Sequence, residues 1–265
     1  MKHTGCIHMD PRTPTAEHQP SRKTVGTEDY HTEIDRIADQ VEKKMIAWRH
    51  DLHQNPELPN RETRTAKIIA DHLKSLGVDE VRTGVGVNGI VGVLKGGAPG
   101  DKVIALRADF DALPVEELAD VPFKSTRIDE DYPGGPFPVS HVCGHECHAT
   151  MLMGAAEVLA EMRDQIPGSV KFLFQGAEEG PPVGEEGGAA MMIKGGALEN
   201  PKPDVAFAIH TTPFPANTLY YCKGDALAAS ELLKIEINGM GVHGSTPWMG
   251  KDPMTVAAEI ILALG

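Results

Sequence analysis

Short apolar runs alternate with segments of helical periodicity along most of the chain, and this alternation restricts the fold strongly. The runs Val103–Leu106, Val170–Phe174 and Val205–Ile209 have the length and character of buried strands. Helical patterns lie between them at Ala149–Met162 and Gly188–Lys194. Strands and helices that alternate in this way predict an α/β domain with a mostly parallel sheet flanked by helices.

Two helices and a hairpin are predicted before the first of these strands. Apolar residues recur at helical spacing over Tyr30–Leu52, and Pro56 should end that helix. A second helix fits Glu62–Leu76. The hairpin follows, because Asn88-Gly89 separates two segments of strand character.

The chain is predicted to have three parts. Residues 1–29 are polar, lack an apolar period and are predicted to be a disordered leader. Residues 30–225 carry the α/β pattern. Residues 226–265 begin a smaller α+β domain, with a strand at Leu232–Ile237 and a helix at Pro253–Leu264. About forty residues cannot form an independent core, so we expect this second domain to be incomplete within these 265 residues.

Composition excludes several classes of protein. The 25 basic and 38 acidic side chains give a net charge of −13, which argues against a nucleic-acid partner. No apolar run approaches the roughly 18–20 residues of a membrane span, and the N-terminus lacks the apolar core of a secretory signal. Four cysteines in a chain of this length do not form a disulfide framework. We therefore expect a soluble, cytoplasmic globular protein.

Residues that can bind or orient a metal follow each of the three predicted strands. Asp109 and Asp111 follow the first, the Glu178-Glu179 pair follows the second, and His210 follows the third. In open α/β sheets, ligands bind at the carboxyl ends of the strands, so these groups should converge. Taken singly, the paired acids also fit a solvated surface, and His210 also fits a core histidine.

A second cluster lies between the first two strands, in the eight residues from His141 to His148. Cys143 and His145 flank a glycine just before a helix, where both can reach one ion. The amino end of that helix should favour the Cys143 thiolate, and a thiolate can bridge two divalent cations. His148, one turn later, suits a structural role as well as a ligand role.

The carboxylates allow a division of roles. Glu178 and Glu179 leave an irregular strand end, where neighbouring side chains can diverge. One could then hold a metal while the other acts as general base on its water. Asp109 or Asp111 could accept a hydrogen bond from the second ring nitrogen of a ligating histidine. The alternative for both aspartates is turn chemistry before Pro114.

In their order and spacing these motifs resemble the aminoacylase/carboxypeptidase-type metallopeptidases. The similarity is closest to the hippurate hydrolases and indole-acetyl-amino-acid hydrolases, and extends from Trp48 to the C-terminus. The segments that carry it are Trp48–Leu58, Arg107–Glu117, Cys143–His145, Ala177–Gly180 and Gly244–Pro247.

This resemblance implies a metal site and a domain arrangement. Residues 30–225 would be the N-terminal part of a catalytic metal-binding domain, and residues 226–265 the start of a lid or dimerisation domain. Cys143 would bridge two divalent ions, with His145, Glu179 and His210 as further ligands. Zinc and manganese are the expected metals, with cobalt and nickel as alternatives.

The resemblance also implies a reaction. The amide bond of an N-acyl amino acid, or of a small peptide-like substrate, would be hydrolysed by a metal-activated water with Glu178 as general base. Asp111 would hold a ligand histidine in place. His243 resembles a lid-domain histidine that polarises the scissile carbonyl in a neighbouring subunit, which implies a homodimer formed through the lid.

Departures from the family pattern leave two alternatives. Glu146-Cys147 stands where Asp-Gly is usual, and Thr211-Thr212 where an aromatic residue is common. The chain could be a catalytically incomplete metal-binding fragment, because the family's last histidine ligand lies further along. A cysteine-dependent hydrolase, or a Cys143–Cys147 redox pair, is the other alternative. We expect these 265 residues alone to aggregate or to bind metal weakly, with little or no amidase activity.

Overall fold

The structure, a computed structural model, describes residues 7–9, 27–228 and 233–264. Its helices are α1 (Thr27–Gln54), α2 (Thr63–Ser75), α3 (His145–Glu161), α4 (Gly188–Lys194) and α5 (Pro253–Leu264). Its strands are β1 (Ile7–Met9), β2 (Glu80–Val85), β3 (Gly89–Lys95), β4 (Ala98–Asp109), β5 (Ile128–Asp129), β6 (Phe137–Pro138), β7 (Pro167–Gln175), β8 (Val205–Ala208) and β9 (Leu219–Tyr221). Short 3₁₀ turns lie at Arg163–Gln165 and Pro247–Met249.

The chain divides into two compact units, one of residues 18–213 and one of residues 1–17 with 214–265. This division precedes the predicted boundary at residue 225, because β9 pairs with β1 and not with the larger sheet. The strand β1 lies in the stretch predicted to be a disordered leader. The rest of that stretch up to residue 26 lies outside the described residues.

The larger unit is built on a five-stranded sheet in the order β2-β3-β7-β4-β8. β4 runs parallel to both β7 and β8, whereas β3 is antiparallel to β2 and β7. The α/β prediction is confirmed, and the sheet is mixed. The antiparallel pairs arise where the predicted hairpin folds back at Asn88-Gly89 and places β3 beside β7.

Helices cover both faces of this sheet. Side chains on β7 alternate: Phe172 and Phe174 belong to the core beneath α2 and α3, and Leu173 belongs to a core with Met192 of α4. This period of two follows from the pleat of a strand. The helix α1 packs against α3 and ends at Gln54, before Pro56 as predicted.

The three parallel strands end at the same edge of the sheet. β4 ends at Asp109 and β7 at Gln175, and β8 ends two residues before His210. Predicted as buried, β8 is exposed along its length, because β4 is its only partner among the described strands. The predicted ligands therefore lie on short segments that leave one edge.

The smaller unit contains β1, β9 and the predicted helix α5. Residues 233–238 form no strand, and Leu232, the start of the predicted strand there, lies outside the described residues. None of the helices that the structure describes combines the length and apolar character needed to span a membrane.

Candidate metal centre

His145 is the first residue of α3 and one of the most buried side chains in the larger unit. Its Nδ1 lies 3.1 Å from Asp111 Oδ1. Its buried Nε2 has no hydrogen-bond partner among the described residues, and lies 3.7 Å from a Glu179 oxygen and 3.8 Å from a Glu178 oxygen. Asp109 Oδ2 also lies 3.8 Å from this nitrogen. A buried ring nitrogen that faces three carboxylates without bonding to any of them is the arrangement a bound cation would satisfy.

Cys143 and His210 lie beside this nitrogen. The Cys143 Sγ is 3.4 Å from His210 Nε2, and the candidate ligand atoms of Cys143, His145 and His210 all lie within 4.8 Å of one another. The His210 Nδ1–H donates to the Thr211 carbonyl at 2.6 Å, so the Nε2 lone pair faces the thiol. Ligands bonded to one tetrahedral zinc lie roughly 3.3–3.8 Å apart, so this spacing fits a shared ion.

A second group of candidate ligands shares His145. The carboxylates of Glu178 and Glu179 come within 4.8 Å of each other and of His145. The Glu178 side chain is 41% exposed and that of Glu179 is 22% exposed, so Glu178 is the more accessible to a substrate. Two adjoining groups with one common histidine have the donors for two ions.

Asp111 connects the two groups. One of its oxygens receives the His145 Nδ1–H, and the other accepts the backbone N–H of Glu179 at 3.0 Å. Burial lowers the pKa of His145, but Asp111, Asp109 and Glu179 outweigh burial and raise that pKa to about 9. A metal must therefore displace a proton from His145.

Asp109 has a different task. Its carboxylate lies 2.6 Å from His148 Nδ1 and accepts a hydrogen bond from Arg107 at 2.6 Å. The Thr211 N–H donates to His148 Nε2 at 2.8 Å, so Nδ1 carries the ring proton and donates to Asp109. Both His148 nitrogens are thus used within the protein. Asp109, His145 and His148 also lie close enough to share an ion, but the hydrogen bonds of His148 favour a structural role, in which it supports the segment that carries His210.

In the metal-free protein, the surroundings of Cys143 do not favour the thiolate that the sequence predicts. Burial, followed by the Glu179 carboxylate, raises the pKa of Cys143 to about 12. Burial and the acidic surroundings together outweigh the amino end of α3, which begins at His145. A protonated thiol is a poor nucleophile, so the site does not favour the cysteine-dependent alternatives, whereas a divalent cation would promote loss of this proton.

Glu146, one of the departures from the family pattern, anchors the first turn of α3. It is buried, and its carboxylate accepts from His53 Nδ1 at 2.8 Å and from Arg49 Nε at 3.3 Å. Burial opposes ionisation, but His53 and His141 outweigh it and lower the pKa of Glu146 to about 2. The longer glutamate thus ties the helix that presents His145 to α1.

His243 lies in the smaller unit and is exposed. The Ser245 N–H donates to its Nδ1 at 3.2 Å, so the ring proton is on Nε2. An Nε2–H donor suits the predicted task of polarising a carbonyl. That task stays a prediction.

Two contributors were not identified from sequence. Arg107 stands two residues before Asp109, and side chains at this spacing share one face of a strand. The hydrogen bond between these two side chains could therefore have been predicted from the sequence. Glu62 bonds to the loop that carries Glu178 and Glu179. No spacing signal marks a contact between segments so far apart.

Comparison with known proteins gives a consistent result. Residues 105–262 match the family described as Peptidase family M20/M25/M40. The hippurate hydrolase of Campylobacter jejuni subsp. jejuni is 42% identical over 217 residues, 82% of this chain and 52% of that protein. Thermostable carboxypeptidase 2 of Saccharolobus solfataricus is 40% identical over 227 residues, 85% of this chain and 54% of that protein.

A solved structure agrees. The Bacillus subtilis YXEP protein, described as a dinuclear metal binding peptidase from the M20 family, is similar with a TM-score of 0.54 at 30% identity, over 71% of this chain and 45% of that one. This chain spans about half the length of the curated relatives it matches. The family match covers more than half of the chain and includes every predicted metal ligand. The resemblance inferred from the motifs is thereby confirmed, and the chain belongs to peptidase family M20/M25/M40.

Proposed function

We propose that this chain carries the metal-binding residues of a dinuclear, metal-dependent amidohydrolase that cleaves N-acyl amino acids or small peptide-like amides. The observation that carries the proposal is the His145 Nε2, which has no hydrogen-bond partner among the described residues and faces three carboxylates beside the Cys143–His210 pair. Hippurate is itself an N-acyl amino acid, and a carboxypeptidase acts on peptide bonds. The names of these two relatives therefore support this substrate class.

The donor set favours particular ions. Cys143 would bridge two divalent cations, with His145, Glu179 and His210 completing the protein ligands. Thiolate, imidazole and carboxylate together suit zinc, whereas manganese, cobalt and nickel accept a similar set. We infer zinc or manganese as the working metal.

The chain's own residues would perform the proton transfers. Bound divalent cations would supply Lewis acidity that lowers the pKa of water towards about 7. The Glu178 carboxylate would accept a proton from the attacking water and return it to the leaving amine nitrogen. Asp111 keeps His145 and the Glu179 segment in place during these steps. His243 Nε2–H would donate to the substrate carbonyl oxygen.

One pair of substitutions separates the base from the ligand. In a version extended to the length of the relatives, Glu178→Gln should abolish turnover with metal content nearly unchanged, because it removes only the proton acceptor. Glu179→Gln should lose metal as well as activity. Glu186→Gln is the matched control, an exposed acid in the same loop that pairs with Lys194. If Glu178→Gln lost the metal and Glu179→Gln kept it, the two assignments would be exchanged.

Chelation tests the proposal as a whole. The purified chain is stripped with a chelator, reloaded with zinc or manganese, and assayed on a panel of N-acyl amino acids. The expected result is weak hydrolysis that disappears on chelation and returns with metal. Metal binding without turnover would favour the catalytically incomplete fragment. Inactivation by an alkylating agent, with no effect of chelator, would favour the cysteine-dependent hydrolase.

The assembly and location form a separate part of the proposal. We infer that the protein, extended to the length of its relatives, is a cytoplasmic homodimer formed through the lid domain to which residues 226–265 belong, with no nucleic-acid or membrane partner. The resemblance supports the dimer, and the net charge of −13 supports the absence of a nucleic-acid partner. Sedimentation velocity of the protein at several concentrations tests the dimer, and a monomer at every concentration would contradict it.

A further inference from the structure

We propose that Glu62 is a positioning residue whose buried carboxylate holds the loop carrying Glu178 and Glu179 in metal-binding geometry. This inference rests on the proposed function of that loop. Glu62 lies at the amino end of α2, remote in sequence from every candidate ligand.

Glu62 does not serve the helix it precedes. Its side chain makes no capping hydrogen bond to the amides of α2. Glu57 takes that task, since its carboxylate accepts the N–H groups of Arg64 at 3.0 Å and Thr65 at 2.7 Å. The amino end of α2 is thus satisfied by another acid. Capping of α2 therefore does not explain why the Glu62 carboxylate is buried.

The Glu62 carboxylate bonds instead to the loop that carries Glu178 and Glu179. Its Oε1 accepts the Ala177 N–H at 2.7 Å, and its Oε2 accepts from Asn88 Nδ2 at 2.8 Å. The residue is 0% exposed, and burial raises its pKa. Burying a carboxylate is costly unless donors compensate it, so these bonds account for its place. A Cβ added to Gly176 would lie 2.9 Å from Oε1, so the contact leaves no room.

The loop needs such support. Ala177 has a φ of +52°, a conformation that residues with a Cβ seldom adopt unless tertiary contacts impose it. Glu62 holds the amide of Ala177, and Asp111 holds the amide of Glu179. Two buried carboxylates therefore hydrogen-bond to the backbone on either side of Glu178. Loss of one of these hydrogen bonds should let Glu178 and Glu179 move relative to His145.

Two substitutions at Glu62 isolate the hydrogen bond. Glu62→Met has nearly the same size but no acceptor, whereas Glu62→Gln keeps a side-chain oxygen for the Ala177 amide. Asn88 can turn its own oxygen towards the new NH₂ group. Zn²⁺ affinity, measured by competition with a chromophoric chelator, should fall roughly tenfold or more in Glu62→Met and less than about threefold in Glu62→Gln.

A second measurement does not depend on metal. In the metal-free protein, hydrogen exchange at the Ala177 amide should be at least about tenfold faster in Glu62→Met than in the unmodified chain. It should stay near the unmodified rate in Glu62→Gln. If Glu62→Met does not fold, Gly176→Ala replaces it, because the added Cβ pushes against the same carboxylate.

The control is Leu73→Ala, a fully buried residue of the same helix that lies in the main core. It should lower the unfolding midpoint and leave Zn²⁺ affinity within about threefold. The inference is overturned if Glu62→Met keeps both its Zn²⁺ affinity and the slow Ala177 exchange. It is also overturned if Leu73→Ala loses as much affinity. If the unmodified chain binds no Zn²⁺, the proposed metal centre fails, and the Ala177 exchange alone decides the role of Glu62.

Discussion

Replacing Asp111 by asparagine should weaken metal binding although it removes no proposed metal ligand. The Asp111 carboxylate accepts two hydrogen bonds, from His145 Nδ1 at 3.1 Å and from the Glu179 N–H at 3.0 Å. The first is buried, the second is partly buried, and both need an oxygen. Asparagine offers one oxygen and one NH₂ group, so it can satisfy only one of them.

Each orientation of the asparagine damages the site. If its NH₂ group faces His145, that ring must accept at Nδ1 and carry its proton on Nε2, where it blocks the proposed metal bond. If the NH₂ group faces Glu179, the backbone N–H there loses its acceptor and the loop loosens. Groups that orient metal ligands are typically worth about 10–100-fold in affinity, which is about 1.4–2.7 kcal/mol.

The assay compares Zn²⁺ affinity of the two proteins by chelator competition at about pH 9.5, so that proton competition at His145 is small in both. At this pH most His145 rings of the unmodified protein have already lost the competing proton, because the pKa of His145 is about 9. Asp204→Asn is the matched control. Asp204 also accepts a backbone N–H, from Val103 at 2.9 Å, but at the opposite end of the buried part of β4.

The control should bind Zn²⁺ as the unmodified chain does. Equal affinity for Asp111→Asn and the unmodified chain would refute the argument that Asp111 orients His145 and Glu179. An equal loss in Asp204→Asn would show that the effect is one of general stability.

Three further outcomes are expected. Cys143→Ala should strip both ions from any form that binds two, whereas Cys147→Ala should keep them; full metal in Cys143→Ala by elemental analysis would contradict the bridge. Burial lowers the pKa of His72 in the folded protein, so below about pH 6.5 the unfolded chain binds more protons at this residue. The free energy of unfolding should therefore decrease as the pH is lowered below about 6.5, and less steeply in His72→Gln. Urea titrations at several pH values measure this. Lys171→Met leaves two backbone carbonyls without their donor and should lower the free energy of unfolding by about 1–3 kcal/mol, measured in urea at neutral pH.

The sequence alone determined the order of the main helices and strands of the larger unit and the edge where the chemistry lies. Apolar runs and helical spacing are local signals, set by the geometry of a strand or a helix. They placed α4 at Gly188–Lys194 as the structure has it, and they predicted that the ligands follow three neighbouring strands. The Cys143–His145 pair was recognisable because a glycine and a helix start are also local features.

Tertiary structure decided how each polar group is used. Asp109 and Asp111 look alike in sequence, yet one bonds to His148 and the other to His145. Burial, and then carboxylates from other segments, raise the pKa of the Cys143 thiol to about 12. Glu62 and Ala177 are 115 residues apart. Hydrogen bonds and charge interactions depend on distances of a few ångströms between such segments, and no period in the chain encodes these distances.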